Sequence, residues 1–477
     1  MLRVQRCLIF LIQISVFAAM GCGSASIGGH VLPAGNKDQI VTVADLHFNP
    51  LYDPSLYASL VAADPSQWAG IYQGSTVKAP TGGGTDTNYP LLVLALASMK
   101  QNMEASPVVL CTGDLLGHSI PQMFYTGYYG TPHYPTPDAT AIAAMQRFID
   151  KTFAFVAIQI RGAAGNAPVI YAPGNIDTYG PGYGPEGTFL TDNAETVYSQ
   201  FLMGGVDQAT FLSTFLVDGY YAAQPLGSGL RVITLNTNSF VAGAPSESDA
   251  QAELAWLDAQ LAAAQAAKEK VWILMHVPPG ANDQTIAQNV PSPSDIHDNN
   301  VAMMWDANLQ DTFVQKLGKY PGLVTMMLAG HTHMDEFRIL PTGDVLEQLP
   351  GISPCFGNNP AYKVLTVTAN TFTPTDYQSY DYNLATMPAQ FGSLYRFTAT
   401  YGGESTLGAS LRTLYPQVSA DKNTRNTYAL LYASGSRATN PVTLAPWNPM
   451  NETNWPIFTC TIGEMDGSDY IGCLNPH

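Results

Sequence analysis

Short apolar runs that end on polar residues recur along the chain, at 40–44, 107–112, 168–173, 230–235, 270–275 and 323–329. Their length and the Val/Ile content of most of them suit strands buried on both faces. Between them lie helical patterns. Residues 90–105 and 137–160 are long enough for helices, and 249–268 sets Leu254, Leu257, Leu261 and Ala264 on one face, with Trp256 beside it. This alternation argues for a layered α/β domain. Beyond about residue 375 the rhythm weakens and Tyr, Asn, Thr and Pro become frequent, which reads as an appended subdomain or wrapping tail. The stretch 81–87, TGGGTDT, is a loop that lacks the Gly-Lys-Ser/Thr of a phosphate-cradling turn.

The first segment reads as an address. Arg3 and Arg6 precede an apolar stretch over 7–20, giving a secretory signal peptide at 1–21 and a linker at 22–37. The stretch is short for a membrane span of about 20 residues. Two cleavage readings stand side by side. Ala19-Met20-Gly21-Cys22 resembles a bacterial lipobox with Cys22 lipidated, whereas Gly23-Ser24-Ala25 offers an ordinary small-residue site. Either way the protein is expected outside the cytoplasm, as a secreted, periplasmic or envelope-anchored protein that touches a membrane only through a lipid on Cys22.

Composition narrows the ligand class. The 477 residues allow two to four compact units or one large enzyme domain with additions, and 46% hydrophobic against 12% charged residues describes a chain that folds. With 20 basic and 37 acidic residues the net charge is −17, so no basic stripe can follow a long nucleic acid. A small phosphorylated ligand stays compatible with this charge, because bound divalent cations supply a positive field locally. The six cysteines are too few for a disulfide scaffold. Cys460 and Cys473 form the natural pair in the C-terminal tail, Cys111 belongs inside an apolar strand, and a metal site must draw on His and carboxylate ligands.

Those ligand types stand at the strand ends. Asp45-Leu46-His47 follows the first run, Gly113-Asp114 the second and Gly174-Asn175 the third; His276 ends the fifth, and Gly330-His331-Thr332-His333 follows the sixth. His118 lies just past Asp114. Singly, each piece is more often a turn or a hydrogen-bonded structural residue. Their common place after successive strands is what points to hard or borderline metal ions held by nitrogen and oxygen.

In this order, D-x-H, GD, GN, a lone His and GHxH resemble the calcineurin-like metallophosphoesterase superfamily over about residues 38–340. Asp45-Leu46-His47-Phe48-Asn49-Pro50, Thr112-Gly113-Asp114 with His118, Ala255-Trp256-Leu257, and Gly357-Asn358-Asn359-Pro360 are similar to the acid sphingomyelinase-like phosphodiesterases. No cysteine cluster precedes Asp45, so the saposin-like domain has no counterpart and the saposin-free branch, whose members often take soluble nucleotide phosphodiesters, is the nearer one. The resemblance implies an α/β/β/α sandwich over 38–375 with a C-terminal subdomain or wrapping tail over 376–477. It implies two divalent metal ions, with Asp45, His47 and His333 on one, Asn175, His276 and His331 on the other, and Asp114 bridging both. Zinc is the first expectation, and manganese or iron also suits the donors. The implied reaction is hydrolysis of a small phosphodiester or one bearing a lipid head group, by in-line attack of a hydroxide shared between the ions. A phosphomonoesterase with the same metals, or a non-catalytic metal- or phosphate-binding surface protein, are the alternatives.

One departure from the family pattern bears on turnover. The family reads Gly-Asn-His-Asp/Glu, and that His contacts the phosphoryl group or assists the leaving oxygen; here the residues are Gly174-Asn175-Ile176-Asp177. General acid catalysis contributes typically about 10²–10⁴-fold, and Ile supplies none of it. In the sphingomyelinase-like branch a His four residues after the bridging Asp also reaches the phosphate, which makes His118 the expected acid; the competing reading has it capping a loop. Aromatic-rich stretches at 121–136 and 179–183 are expected as loops beside the site, lining a base or acyl groove or simply packing. His30, His133, His297 and His477 read as surface residues.

Overall fold

The computed structural model describes residues 37–103, 106–180, 183, 188–244, 247–290, 292–436 and 450–475. The expected signal peptide, Cys22, His30 and His477 lie outside them. Each of the six apolar runs contains a strand, and further strands join them. The order is β1 (Lys37–Val43), β2 (Val109–Cys111), β3 (Val169–Tyr171), β4 (Tyr221–Ala223), β5 (Leu230–Thr234), β6 (Lys270–Leu274), β7 (Val324–Ala329), β8 (Glu336–Ile339), β9 (Val345–Gln348), β10 (Ala361–Thr368), β11 (Thr373–Asp381) and β12 (Gly392–Arg396).

They form two six-stranded sheets, ordered β12-β11-β10-β1-β2-β3 and β4-β5-β6-β7-β9-β8. β1, β2 and β3 run parallel, as do β5, β6, β7 and β9, so the expected strand ends emerge along common rims. The alternation of side chains along a strand explains why these runs are apolar throughout. Trp272 and Leu274 of β6, with Met326 and Leu328 of β7, enter the large core shared with the first sheet. Val271, Ile273, Met327 and Ala329 point the other way, to a second core under the helix Glu247–Ala267. That helix buries Leu254, Leu257, Leu261 and Ala264, the face its spacing predicts.

The helices expected at 90–105 and 137–160 are Tyr89–Met103 and Ala139–Ala164. The stretch at 121–136 departs from expectation, because its first part is the helix Ile120–Tyr129 rather than a loop. Pro121 suits a first helical turn, Ile120 and Phe124 bury one face, and Gly130 at φ 71° ends it. Residue 375, where the catalytic unit was expected to end, lies within β11, and β12 also belongs to the first sheet. The later helix Trp455–Gly463 packs against β8 and is tied by the Cys460–Cys473 disulfide to the helix Gly467–Leu474. No helix among the described residues is long and apolar enough to cross a membrane.

Two buried polar knots hold the loops at the rim. Asp177 accepts hydrogen bonds on Oδ1 from the N–H groups of Leu115 and Leu116, and on Oδ2 from Tyr171 Oη and the N–H of Gly174. It thereby ties the loop after β2 to the loop after β3. Lys363 of β10 joins the sheets, its Nζ lying 2.8 Å from Asp335 Oδ1 and 2.7 Å from Glu347 Oε2, with the Tyr377 ring centroid at 4.3 Å. Burial opposes the charge of Lys363, and the two carboxylates outweigh it and raise its pKa.

Removing either knot strands buried groups. Leaving a buried donor unsatisfied costs about 1–3 kcal/mol, so Asp177→Ala is expected to lower unfolding free energy by at least about 3 kcal/mol. Lys363→Met leaves two buried carboxylates without their cation, a loss of about 3–5 kcal/mol. Urea denaturation of both variants checks this; changes under about 1 kcal/mol would mean that the contacts are not what holds the rim.

Candidate metal centre

The loops after β1, β2, β3, β6 and β7 bring Asp45, His47, Asp114, Asn175, His276, His331 and His333 together, with His118 beside them. His47, Asp114, His118, Asn175, His331 and His333 line a cleft of about 200 Å³, while Asp45 and His276 are fully buried. Close approach of the loops demands glycine. A Cβ on Gly113, which sits at φ 91°, would lie 2.4 Å from the backbone nitrogen of Gly174, and one on Gly174 would lie 2.1 Å from that of Asp114. The Gly-Asp and Gly-Asn pairs are therefore a packing requirement as well as a turn signal.

The donor atoms form two groups. In the first, ligand atoms of Asp45, His47 and His333 all lie within 4.8 Å of one another; in the second, those of Asp114, His276 and His331 do. Asn175 Oδ1 joins the second group, 2.9 Å from both His276 Nε2 and His331 Nδ1. One oxygen connects them: Asp114 Oδ2 is 3.2 Å from His47 Nε2 and 3.1 Å from His276 Nε2. The other Asp114 oxygen accepts the Ile176 N–H at 2.8 Å.

Backbone carbonyls set the imidazoles. Nδ1 of His47 donates to Leu116 O at 3.1 Å, Nδ1 of His276 to Thr112 O at 2.7 Å, and Nδ1 of His333 to Ser353 O at 3.0 Å. With Nδ1 so engaged, each Nε2 is the nitrogen turned toward the cleft. Asp45 Oδ2 and His333 Nε2 are buried and without hydrogen-bond partners, and the buried His47 Nε2 faces the Asp114 carboxylate at 3.2 Å. Orphaned polar atoms of this kind cost about 1–3 kcal/mol each, so a set that converges on one point fits a cation there. The donors are imidazole nitrogen, carboxylate oxygen and amide oxygen, a set suited to zinc, manganese or iron.

The electrostatics fit the same reading. Burial pushes Asp45 up to about 7, and neighbouring Asp114 adds to this. Asp114 is also buried, but His276 and His47 hold it well below the usual carboxylate range. Burial pulls His47 and His276 down, yet Asp114 overrides it and raises both to about 9. In the protein alone the acids thus draw protons onto the nitrogens that face the cleft. His331 shows the opposite result: burial and His276 push it down to about 3.

His118 lies at the edge of the cleft, half-buried, its ring stacked on that of His47 at 4.2 Å between centroids. Asp86 grips it twice, accepting the His118 N–H at 2.6 Å and its Nδ1 proton at 2.8 Å. Sequence reasoning passed over Asp86, which stands in the TGGGTDT loop, because nothing in spacing links it to a histidine 32 residues on. The second aromatic stretch divides. Tyr183 Oη lies 3.4 Å from His331 Nε2 at the cleft, whereas Tyr179 is buried and donates to Asp150 and Asp192. His133 and His297 are exposed, as expected.

The chain is 24% identical over 324 residues to a sphingomyelinase phosphodiesterase C of Dictyostelium discoideum, a stretch covering 63% of each protein and so under two thirds of that relative's length. It is 23% identical over 491 residues to the human cyclic GMP-AMP phosphodiesterase SMPDL3A, covering 96% of both. Among solved structures, a dimetal phosphatase from Danio rerio aligns with a TM-score of 0.40 and 12% identity, over 75% of this chain and 98% of that one. Residues 39–335, the span from β1 through the GHxH loop, match the family model for calcineurin-like phosphoesterases, and the chain belongs to that family.

Proposed function

We propose that the protein is a metal-dependent phosphodiesterase of two divalent ions, acting outside the cytoplasm on a small or lipid-derived phosphodiester. The observation that carries this reading is Asp114 Oδ2, which stands within about 3 Å of an imidazole from each donor group, the position a carboxylate takes between two cations. Asp45, His47 and His333 would hold one ion and Asn175, His276 and His331 the other, with zinc the first choice. Ions bound there would lower the pKa of water and neutralise the phosphoryl oxygens. The relatives' names, a sphingomyelinase phosphodiesterase and a cyclic GMP-AMP phosphodiesterase, support a diester over a monoester. The Cys460–Cys473 disulfide supports an oxidising compartment, in keeping with the signal pattern at 1–21 and a lipid or plain cleavage site near Cys22.

The chain's own residues supply the proton chemistry. Asp86 fixes Nδ1 of His118 as the protonated nitrogen, so Nε2 is left to exchange a proton with the leaving oxygen. Ile176 has no proton to give, and its contribution is the backbone N–H that keeps Asp114 oriented.

Asp114→Asn is expected to lose both metal content, measured by elemental analysis, and hydrolysis of bis-nitrophenyl phosphate; retained activity would overturn the proposal. Wild-type rates on the bis ester should exceed those on the mono ester, and the reverse would make it a monoesterase. His118→Ala should lower kcat by about 10²–10⁴-fold on a diester with a poor leaving group and much less on a nitrophenyl ester, where the departing oxygen needs no proton. Asp86→Asn should reproduce a milder form of this leaving-group dependence, and a uniform loss across leaving groups would show that Asp86 only supports its loop.

A further inference from the structure

A second cavity of about 200 Å³ opens on the other side of His118, lined by Leu116, Ile120, Pro121, Ile149, Ile176 and Thr178 around it. His118 lines this cavity and the metal-facing cleft alike. Ile176 does two things at once. Its N–H is spent on Asp114, while its half-buried side chain packs against the main core and forms part of the cavity wall. Leu116, Ile120 and Ile149 are buried behind it. Ser119 and Gln122 also reach the cavity, but none of its lining side chains except His118 can carry a charge, so a quaternary ammonium finds no carboxylate there and the Ile120, Ile149 and Ile176 side favours an apolar group. Its volume is below the roughly 300–1,000 Å³ of sites for drug-sized ligands, which suits a single ring or a short alkyl stem.

We infer that this cavity is the leaving-group subsite and that it selects an ester whose departing alcohol carries an apolar group next to the scissile oxygen. The inference rests on the phosphodiesterase reading above. In the step concerned, the oxygen of water forms a bond to phosphorus and the bond from phosphorus to the departing alcohol breaks. The departing oxygen takes the Nε2 proton of the His118 imidazolium, whose Nδ1 proton stays hydrogen-bonded to Asp86, and the proton that water yields to solvent restores His118 for the next turnover. His118 then stands at the scissile oxygen, and the alcohol extends past it onto Ile176. A polar side chain at position 176 would give that alcohol a hydrogen-bonding wall; Ile gives it a dry one.

The test uses methyl aryl phosphate diesters, in which the phenol is the better leaving group and its identity is not in doubt. Methyl 4-ethylphenyl phosphate and methyl 4-(hydroxymethyl)phenyl phosphate are of similar size and differ in one methyl-for-hydroxyl exchange. The metal-loaded wild type is expected to prefer the ethyl compound by about tenfold or more in kcat/KM, the scale on which pockets separate such pairs. Ile176→Asn should bring the ratio near unity, and Ile149→Phe, which fills the cavity, should slow both aryl esters while sparing methyl trifluoroethyl phosphate. Equal rates for the two aryl esters in the wild type, unchanged by Ile176→Asn, would overturn the subsite and leave the phosphodiesterase reading standing. If no diester is turned over, that reading fails, and binding of 4-ethylphenol decides the subsite. A thermal shift in the wild type that is absent in a folded Ile176→Asn variant supports it, and no shift in either refutes it.

Discussion

The site depends on a backbone held where L-residues rarely sit. Asp45, His47, Asp114, His331 and His333 have φ values of 49°, 39°, 52°, 76° and 63°. A non-glycine residue in this region costs about 1–2 kcal/mol, and such strain persists only where surrounding contacts over-determine it. Those contacts are present. The Asp45 N–H donates to Gly113 O and the His47 N–H to Asp114 O, while Asp45 O accepts from Ser353 N and His333 O from Gly351 N. The His331 N–H adds a bond to Asp45 Oδ1 at 2.9 Å. Each strained residue is thus pinned by a loop from another strand, and the turn it makes swings its side chain off the sheet and into the cleft.

The same economy of position explains the buried charge around the rim. Asp177 sits under the loops that carry Asp114 and Asn175, and Lys363 sits beneath the loop that carries His331 and His333, since its partner Asp335 lies two residues past His333. Both knots join segments that are distant in sequence and that apolar packing alone would let slide. Oriented polar contacts fix the loops in register where the ligand atoms must meet to within tenths of an ångström. The proposed binuclear centre would tolerate little slack, because one Asp114 oxygen lies within 3.2 Å of an imidazole from each donor group.

Much of this was readable from the residues, and the parts that were not share a cause. The strand runs and the ligand types at their ends are local patterns, as is the Cys460–Cys473 pair, so each could be seen in a short window. Asp86 and Asp177 act on groups brought near by the fold, and their own neighbourhoods in sequence look like ordinary turns. Phe124, Tyr125, Tyr128 and Tyr129 fall in the stretch expected as a loop; the structure uses Pro121 and Gly130 as the start and stop of a helix there. The weakened rhythm past residue 375 misses β11, whose burial largely alternates, and β12, which is mostly exposed, because both lack the continuous apolar signature of the inner strands.

A chain of net charge −17 has no surplus of basic side chains to draw in a phosphodiester, itself an anion. Without bound cations, the charges that His47 and His276 gain are set against the carboxylates of Asp114 and Asp45. Divalent ions taken up in place of those protons, as proposed, would make the cleft positive and would couple anion binding to a complete metal site rather than to surface basic residues. The subsite proposed beyond His118 would work in the same direction, because excluding water around a leaving oxygen strengthens the electrostatic hold on the phosphoryl group. On that proposal metal charge would give the affinity for phosphate and the flanking side chains, with Ile176 at the junction of the two cavities, would discriminate among phosphate esters.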